Sequence, residues 1–253
     1  MLLLTGAAGF IGFHTANRLL DEGRDVVGID AVNDYYDPAL KRARLALLSQ
    51  RKGFRFVEGD IADADALERA APAADLETIV HLAAQAGVRY SLEAPFAYEH
   101  SNVAGHLTIL EHARRAPKLK HLVYASSSSV YGDRDQGPFR ETDRCDSPAS
   151  LYAATKKSCE LMSETYARLY GLPQTGLRFF TVYGTWGRPD MAYWSFSQKI
   201  LNGEPITLFG NGVLSRDFTY VDDVAPAIAR LIDLPPAITD GRPHEIYNLG
   251  NST

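Results

Sequence analysis

Short apolar runs alternate along the chain with longer segments in which apolar residues return every three or four positions. The short runs predict strands over residues 2–4, 25–30 (DVVGID), 54–57, 78–82 (TIVHL), 122–126 and 174–179. The longer segments predict helices over residues 10–22, 38–49, 63–70, most of 95–115, and 150–170. Gly171 and Pro173 stop the last of these. A βαβα rhythm of this kind specifies a parallel sheet covered by helices on both faces. After residue 183 the rhythm changes, and Gly184, Gly187, Pro189, Gly203, Pro205, Gly210 and Gly212 punctuate shorter elements. Residues 1–183 are therefore expected to form the main domain and residues 184–253 a small substrate-capping lobe. Within the lobe, a helix over 222–231, opened by Asp222 and Asp223, is expected to pack back on the main domain, residues 222–233 included.

The 253 residues are 45% hydrophobic and 23% charged, the profile of a folded domain rather than a disordered chain. A net charge of −5 leaves no broad basic face, which argues against nucleic acid or an anionic membrane surface as partner. Cys145 and Cys159 form no CxxC pair, so neither a disulfide framework nor a zinc site is written here, and no other metal site is expected. A reducing cytoplasm suits two free thiols. No apolar run approaches the ~18 residues of a membrane span. Residues 1–4 are too short for a signal peptide and are read as the first strand.

Between the first strand and the first helix lies Gly6-Ala7-Ala8-Gly9-Phe10-Ile11-Gly12. Glycines in that GxxGxxG spacing let backbone turn tightly and approach a diphosphate, which the helix N-terminus then attracts. This is the phosphate loop of a Rossmann-type doubly wound sheet, and the strand before it and helix after it give the motif its weight. Asp30 ends the second strand, where a carboxylate accepts hydrogen bonds from an adenine ribose and repels a 2′-phosphate. Ala31, Val32 and Asn33 bring no arginine, so NAD is favoured over NADP. Asp60, after the third strand, is placed to meet the adenine amino group.

Tyr152 and Lys156 open the long helix four residues apart, on one face. An ammonium beside a phenol favours phenolate, which fits Tyr152 as base for a hydroxyl whose carbon loses hydride. The serine run Ser126–Ser129 leaves the fifth strand and offers a hydroxyl to share that proton.

The glycine loop, YASSSSVYG (124–132) and YAATK (152–156) resemble the extended short-chain dehydrogenase/reductase family. IDAVNDYYD (29–37), HLAAQAGVRYS (81–91) and RFFTVYGTWGRPDMA (178–192) are similar to its UDP-glucuronate 4-epimerases. The resemblance implies a tightly held NAD that removes and returns hydride at C4 of a UDP-sugar, UDP-glucuronate giving UDP-galacturonate. An epimerase for another UDP-sugar (an N-acetylhexosamine or its uronic acid), a UDP-glucuronate decarboxylase and a non-catalytic NAD-binding regulator remain open alternatives.

Carried over by motif, Ser127, Tyr152 and Lys156 match the catalytic set, with Lys156 also holding the nicotinamide ribose. Gly6, Gly9, Phe10, Ile11, Gly12, Asp30, Asn33, Asp60, Ile61, Leu82, Ala83, Ala84 and Asn102 match cofactor positions, with Lys41 a further one and Phe179 beside the nicotinamide. Thr207, Leu208 and Phe209 align with a uracil-contacting strand, and Arg216 with an arginine on the diphosphate. The family's galactose-type members carry Asn where this chain has Thr181; Thr181, Ser128, Ser129, Arg188 and Arg89 are thereby implied around a sugar carboxylate. Family dehydratases place Asp-Glu after the catalytic Thr, and UDP-xylose synthases place Glu at the position of Ser129; Ser128-Ser129 fits neither. Thr185 replaces the proline usual in that motif. Related enzymes continue beyond the position of Thr253, so the lobe is expected to be partial. The resemblance also implies a homodimer built from helices within residues 95–115 and 150–170.

Overall fold

The computed structural model describes residues 1–134, 137–208 and 216–251. The chain opens with β1 (Leu2–Thr5), α1 (Phe10–Asp21), β2 (Val26–Asp30), α2 (Pro38–Ser49), β3 (Phe54–Glu58), α3 (Ala64–Ala70) and β4 (Thr78–His81). Two short helices, α4 (Tyr90–Glu93) and α5 (Pro95–Tyr98), lead through a π-helical stretch (Glu99–Ala104) into α6 (Gly105–Arg114). Next come β5 (His121–Ser127), a 3-10 turn (Ser128–Tyr131), α7 (Leu151–Tyr170), β6 (Gln174–Phe179) and β7 (Thr181–Tyr183). The last elements are α8 (Ala192–Leu201), β8 (Phe218–Tyr220), α9 (Val221–Leu231) and β9 (His244–Leu249).

One parallel sheet runs in the order β3-β2-β1-β4-β5-β6-β9, and β7 and β8 pair in parallel beside it. β1, β5 and β6 are almost wholly buried because helices cover both sheet faces. On one face, Phe10, Phe13, Ala16 and Leu19 of α1 pack with Val224, Ile228 and Ala229 of α9. On the other, Leu67 of α3 and Ile109 and Leu110 of α6 pack on Leu3, Ile29, Ile79 and Leu122. The strand order reverses between β1 and β4, which opens a crevice at their carboxyl ends.

The helix 222–231 returns to the main domain as the sequence predicts, as α9 against α1. Residues 244–249, expected from the sequence in the small lobe, are instead the edge strand of the main sheet, in register with β6 from Gln174↔His244 to Phe179↔Leu249. Side chains fasten that strand. The Tyr124 hydroxyl and His244 Nε2 are 2.9 Å apart, and His244 Nδ1 lies 3.0 Å from Glu164 Oε2. Asn248 accepts from the Tyr131 hydroxyl (2.6 Å) and donates to the Phe139 carbonyl (3.0 Å).

Behind the sheet, His106 is fully enclosed, its ring 5.2 Å from that of His81 and 5.1 Å from that of Tyr124, its Nε2 2.9 Å from Ser163 Oγ. Burial, and after it the nearby Lys156 charge, pushes His106 down to about 3, and His81 is also held well below its usual range by burial. A histidine harder to protonate folded than unfolded contributes full stability above its unfolded pKa near 6.5, and that contribution fades as pH falls toward the folded value. Stability should therefore drop between pH 7 and 5, His106 alone accounting for about 2 kcal/mol at pH 5. Chemical denaturation across this range should show the slope, and His106→Gln should flatten it; an unchanged slope in the variant would contradict the assignment.

Candidate functional site

The crevice is a cleft of about 1660 Å³. At its floor Gly6 adopts φ +73°, and a Cβ there would lie 2.7 Å from the Ala83 amide nitrogen. At Gly12 a Cβ would lie 2.0 Å from the Gly6 carbonyl oxygen, so α1 presses directly on the loop only because residue 12 has no side chain. Gly9 caps α1 without a side-chain hydrogen bond, and no acidic residue stands in its first turn. The positive helix end thus faces the cleft unneutralised, which suits a diphosphate.

Asp30 accepts from the Ala8 N–H (3.0 Å) and the Val32 N–H (2.8 Å), one to each oxygen. Its burial raises the carboxyl, against the pull of the Val32 N–H and the Lys41 ammonium. Each oxygen keeps lone-pair capacity for ribose hydroxyls. Lys41 is buried, donates to the Asn33 carbonyl (2.7 Å) and Oδ1, and sits 4.7 Å from the Tyr36 ring centre; burial lowers its pKa. Asp60 accepts from the Ala62 N–H and meets His100 Nε2 at 2.8 Å.

Ser150 caps α7 by accepting from the Ala153 N–H, which sets Tyr152 and Lys156 on its first turns. Lys156 Nζ donates to the Ala125 carbonyl at 2.9 Å. Ser127 Oγ pairs with Ser129 Oγ at 2.5 Å and accepts from the Ser129 N–H. The serine run is held from behind. Ser126 donates to Glu160 Oε1 at 2.7 Å, and Arg178 binds both Glu160 oxygens at 2.8 and 2.9 Å, with both charged groups 2% exposed. Burial raises Glu160, but Arg178, Ser126 and Lys157 outweigh it and hold the carboxyl low. Arg188 forms a two-pronged ion pair with Asp190 at 3.0 and 2.5 Å, and the Tyr35 hydroxyl donates to Asp190 Oδ2 at 2.9 Å.

The cleft gathers Gly6, Gly9, Phe10, Ile11, Gly12, Asp30, Asn33, Lys41, Asp60, Ile61, Leu82, Ala83, Ala84, Tyr152, Lys156 and Phe179. Ser127, Ser128, Ser129, Thr181, Arg188 and Arg216 line it too. Asn102 stands behind the wall. Its amide accepts from the Gln85 N–H and donates to the Gln85 carbonyl and Thr155, so it shapes the wall without facing the cleft. Arg89 is exposed at the start of α4, outside the cleft. Thr207 and Leu208 are exposed, lie outside it as well, and belong to no strand, since residues 204–208 have no ladder partner among the described residues. Phe209 lies outside the described residues. Sequence reasoning missed Tyr35, Tyr36, Gln85, Phe139 and Phe180 on the cleft wall, and Glu160 beneath it. Glu160 had a signal: it follows Tyr152 and Lys156 at the same four-residue spacing.

With the glycine loop pressed on a bare helix end at the switch point of a parallel sheet, and a buried carboxylate ending the next strand, the chain has the dinucleotide-binding architecture of the Rossmann class. Residues 2–250 match the family described as the NAD dependent epimerase/dehydratase family, and the chain belongs to it. A probable UDP-glucuronate 4-epimerase of Rhizobium meliloti (strain 1021) is 56% identical over 235 residues, which are 93% of this chain and 69% of that protein. UDP-glucuronate 4-epimerase 1 of Arabidopsis thaliana is 51% identical over 262 residues, covering 100% of this chain and 61% of that protein. The crystal structure of UDP-glucuronic acid 4-epimerase from Bacillus cereus in complex with UDP-glucuronic acid and NAD superposes with TM-score 0.86 at 33% identity, over 99% of this chain and 77% of that one.

Two substitutions test this geometry. Gly12→Ala forces α1 away from the loop at about 1–3 kcal/mol. Isothermal titration should show a matching loss of dinucleotide affinity, and wild-type affinity would disprove the close approach. Glu160→Gln leaves Arg178 buried with half its partner and should cost about 3–5 kcal/mol in denaturant unfolding. Adding Arg178→Met should recover part of that loss; a purely additive double variant would speak against the pair.

Proposed function

We propose that the chain catalyses NAD-dependent C4 epimerisation of UDP-glucuronate to UDP-galacturonate. The carrying observation is the donor set: Ser127, Ser128 and Ser129 share one cleft with Thr181 and Arg188, and neither of the two positions after Ser127 carries an acid. NAD, when bound, supplies a hydride acceptor and donor at C4. Gly6, Gly9 and Gly12 with the α1 N-terminus would hold its diphosphate, and Asp30 its adenine ribose. In this reading Tyr152 takes and returns the proton of the C4 hydroxyl, Ser127 shares it, and Lys156 supplies positive charge on the same helix face. Arg216, at the cleft, serves the substrate diphosphate, and residues 184–208 with it belong to the UDP-sugar lobe.

The carboxylate must be controlled because a 4-keto uronate is a β-keto acid. It loses CO2 when the C5–C6 bond aligns with the carbonyl π system. Hydroxyl and guanidinium donors that hold the carboxylate, and oppose the loss of its charge, suppress that path while the ring turns its other face to the hydride. The names of the Rhizobium and Arabidopsis relatives, and the UDP-glucuronic acid and NAD bound in the Bacillus structure, support this substrate.

A homodimer, built from the segments 95–115 and 150–170, belongs to the same proposal. Phe96, Leu107, Leu161 and Leu169 expose apolar surface along them. The cytoplasm is the proposed location: Cys145 and Cys159 are buried free thiols, and no described helix is long and apolar enough to cross a membrane.

The protein incubated with UDP-glucuronate and followed by NMR should form UDP-galacturonate. Tyr152→Phe should slow this by about 10²–10⁴-fold. Arg188→Ala should raise the share of decarboxylated 4-keto-pentose product. A folded, NAD-loaded preparation that leaves UDP-glucuronate unchanged would end this reading.

A further inference from the structure

Arg44 projects from α2 and is wholly buried. Its Nη1 donates to the Ala8 carbonyl and the Tyr36 hydroxyl, both at 2.8 Å. Its Nη2 donates to the Trp186 carbonyl at 2.6 Å and the Gly187 carbonyl at 3.2 Å, while Nε has no partner among the described residues. No carboxylate comes within ion-pair distance of it among the described residues. The Asp30 charge is felt by Arg44 but makes no direct ion pair with it. A guanidinium whose direct partners are all carbonyl and phenol oxygens is still costly to bury, and a plain core position would be filled more cheaply by an apolar side chain. A planar guanidinium does what few other side chains can: its two amino groups reach acceptors on two separate segments at fixed angles.

Those segments adjoin residues that line the cleft, Gly6 and Gly9 on one side and Arg188 on the other. Ala8 lies inside the glycine loop, and Gly187 immediately precedes Arg188. The turn is pinned to α1 as well, with His14 Nε2 2.8 Å from the Thr185 carbonyl and the Phe13 and Trp186 ring centres 5.7 Å apart. Trp186 sits at φ +57°, a conformation bulky residues keep only where surrounding contacts impose it. The donor to its carbonyl is Arg44.

We propose that Arg44 is a positioning residue that clamps the 185–188 turn onto the glycine loop, so that dinucleotide occupancy and the placement of Arg188 are coupled. The clamp itself rests on the contacts above; its consequence for product choice rests on the proposed epimerase function. It makes Arg44 a determinant of how cleanly the 4-keto acid is returned, from a site that touches neither reacting carbon nor carboxylate.

Chymotrypsin cleavage after Trp186, scored by mass spectrometry against cleavage after Tyr170, reads the clamp without any ligand. Arg44→Met should speed the Trp186 cut at least about tenfold relative to the Tyr170 cut, consistent with local opening. In the wild type, added NAD should slow the Trp186 cut; in Arg44→Met at saturating NAD it should not. With UDP-glucuronate, Arg44→Met should raise the ratio of decarboxylated to epimerised product, as Arg188→Ala does. Equal cleavage and equal NAD response in variant and wild type would overturn the clamp, even if epimerisation is confirmed. Faster cleavage in the variant with no UDP-glucuronate turnover in the wild type would keep the clamp and remove the functional reading. Should Arg44→Met not fold, Arg44→Lys and Tyr36→Phe must show the same cleavage pattern at smaller amplitude, and wild-type cleavage in both would overturn the proposal.

Discussion

The ion pair between Glu160 and Arg178 is the contact from which the reactive side of the cleft is built. It joins α7 to β6 in the interior, and through Ser126 it also fixes the end of β5. Arg178 continues to the Tyr131 hydroxyl, which passes a hydrogen bond to Asn248 of β9. Tyr152, Lys156, the serine run and the last strand therefore share one electrostatic anchor. A buried pair of this kind gains little net stability over an apolar core, because both ions must be desolvated. Its return is geometric: a bidentate fork admits few orientations, so α7 cannot rotate against the serine run without losing both bonds.

Two cations near the reactive end of the cleft are held by acceptors that leave donors available. Lys156 is spent on a single carbonyl, and Arg188 on Asp190. Asp190 has the chemistry of the carboxylate that the proposed substrate would bring. Its second partner, Tyr35, resists ionisation because burial and the Asp190 charge both disfavour phenolate. Tyr35 therefore remains a donor to Asp190 if Arg188 turns toward a ligand. An arginine shared between an internal and an incoming carboxylate keeps a counter-charge in either state, which lowers the cost of holding a partly buried guanidinium at the cleft.

Much of this was legible from the chain. The first six strands of the main sheet, the long helix and the glycine loop read correctly, because strands covered by helices favour apolar runs and the loop has a backbone reason for each glycine. β9 was not legible: only His244 in it is buried, so it shows no apolar run, and pairing with β6 makes it a strand. Arg44 looks in sequence like a residue of a solvated helix face, and it is buried. Asn102 reads as a cofactor contact because an amide that faces a ligand and one that braces a neighbouring loop leave the same letter. Resemblance alone places Thr207 and Leu208 in a strand, yet a strand needs a partner edge, and none meets residues 204–208 among the described residues.

The sheet and glycine loop hold a dinucleotide for any reaction of this family, so they do not distinguish epimerisation from dehydration or decarboxylation. That choice lies in the few atoms after β5. Elimination of water from a 4-keto sugar needs an acid to protonate the leaving hydroxyl and a base to take the C5 proton. Here the positions following Ser127 carry Ser128 and Ser129, and Ser129 is already engaged through its amide and its hydroxyl with Ser127. A hydroxyl at these positions is a poor proton donor to a leaving group near neutral pH, whereas it is a competent hydrogen-bond donor to a carboxylate. The same two residues thus lack the acid that the sister reactions need and, under the proposed function, would supply the contact that a uronate needs. On that proposal, selectivity would come from what the serines cannot protonate as much as from what they would hold.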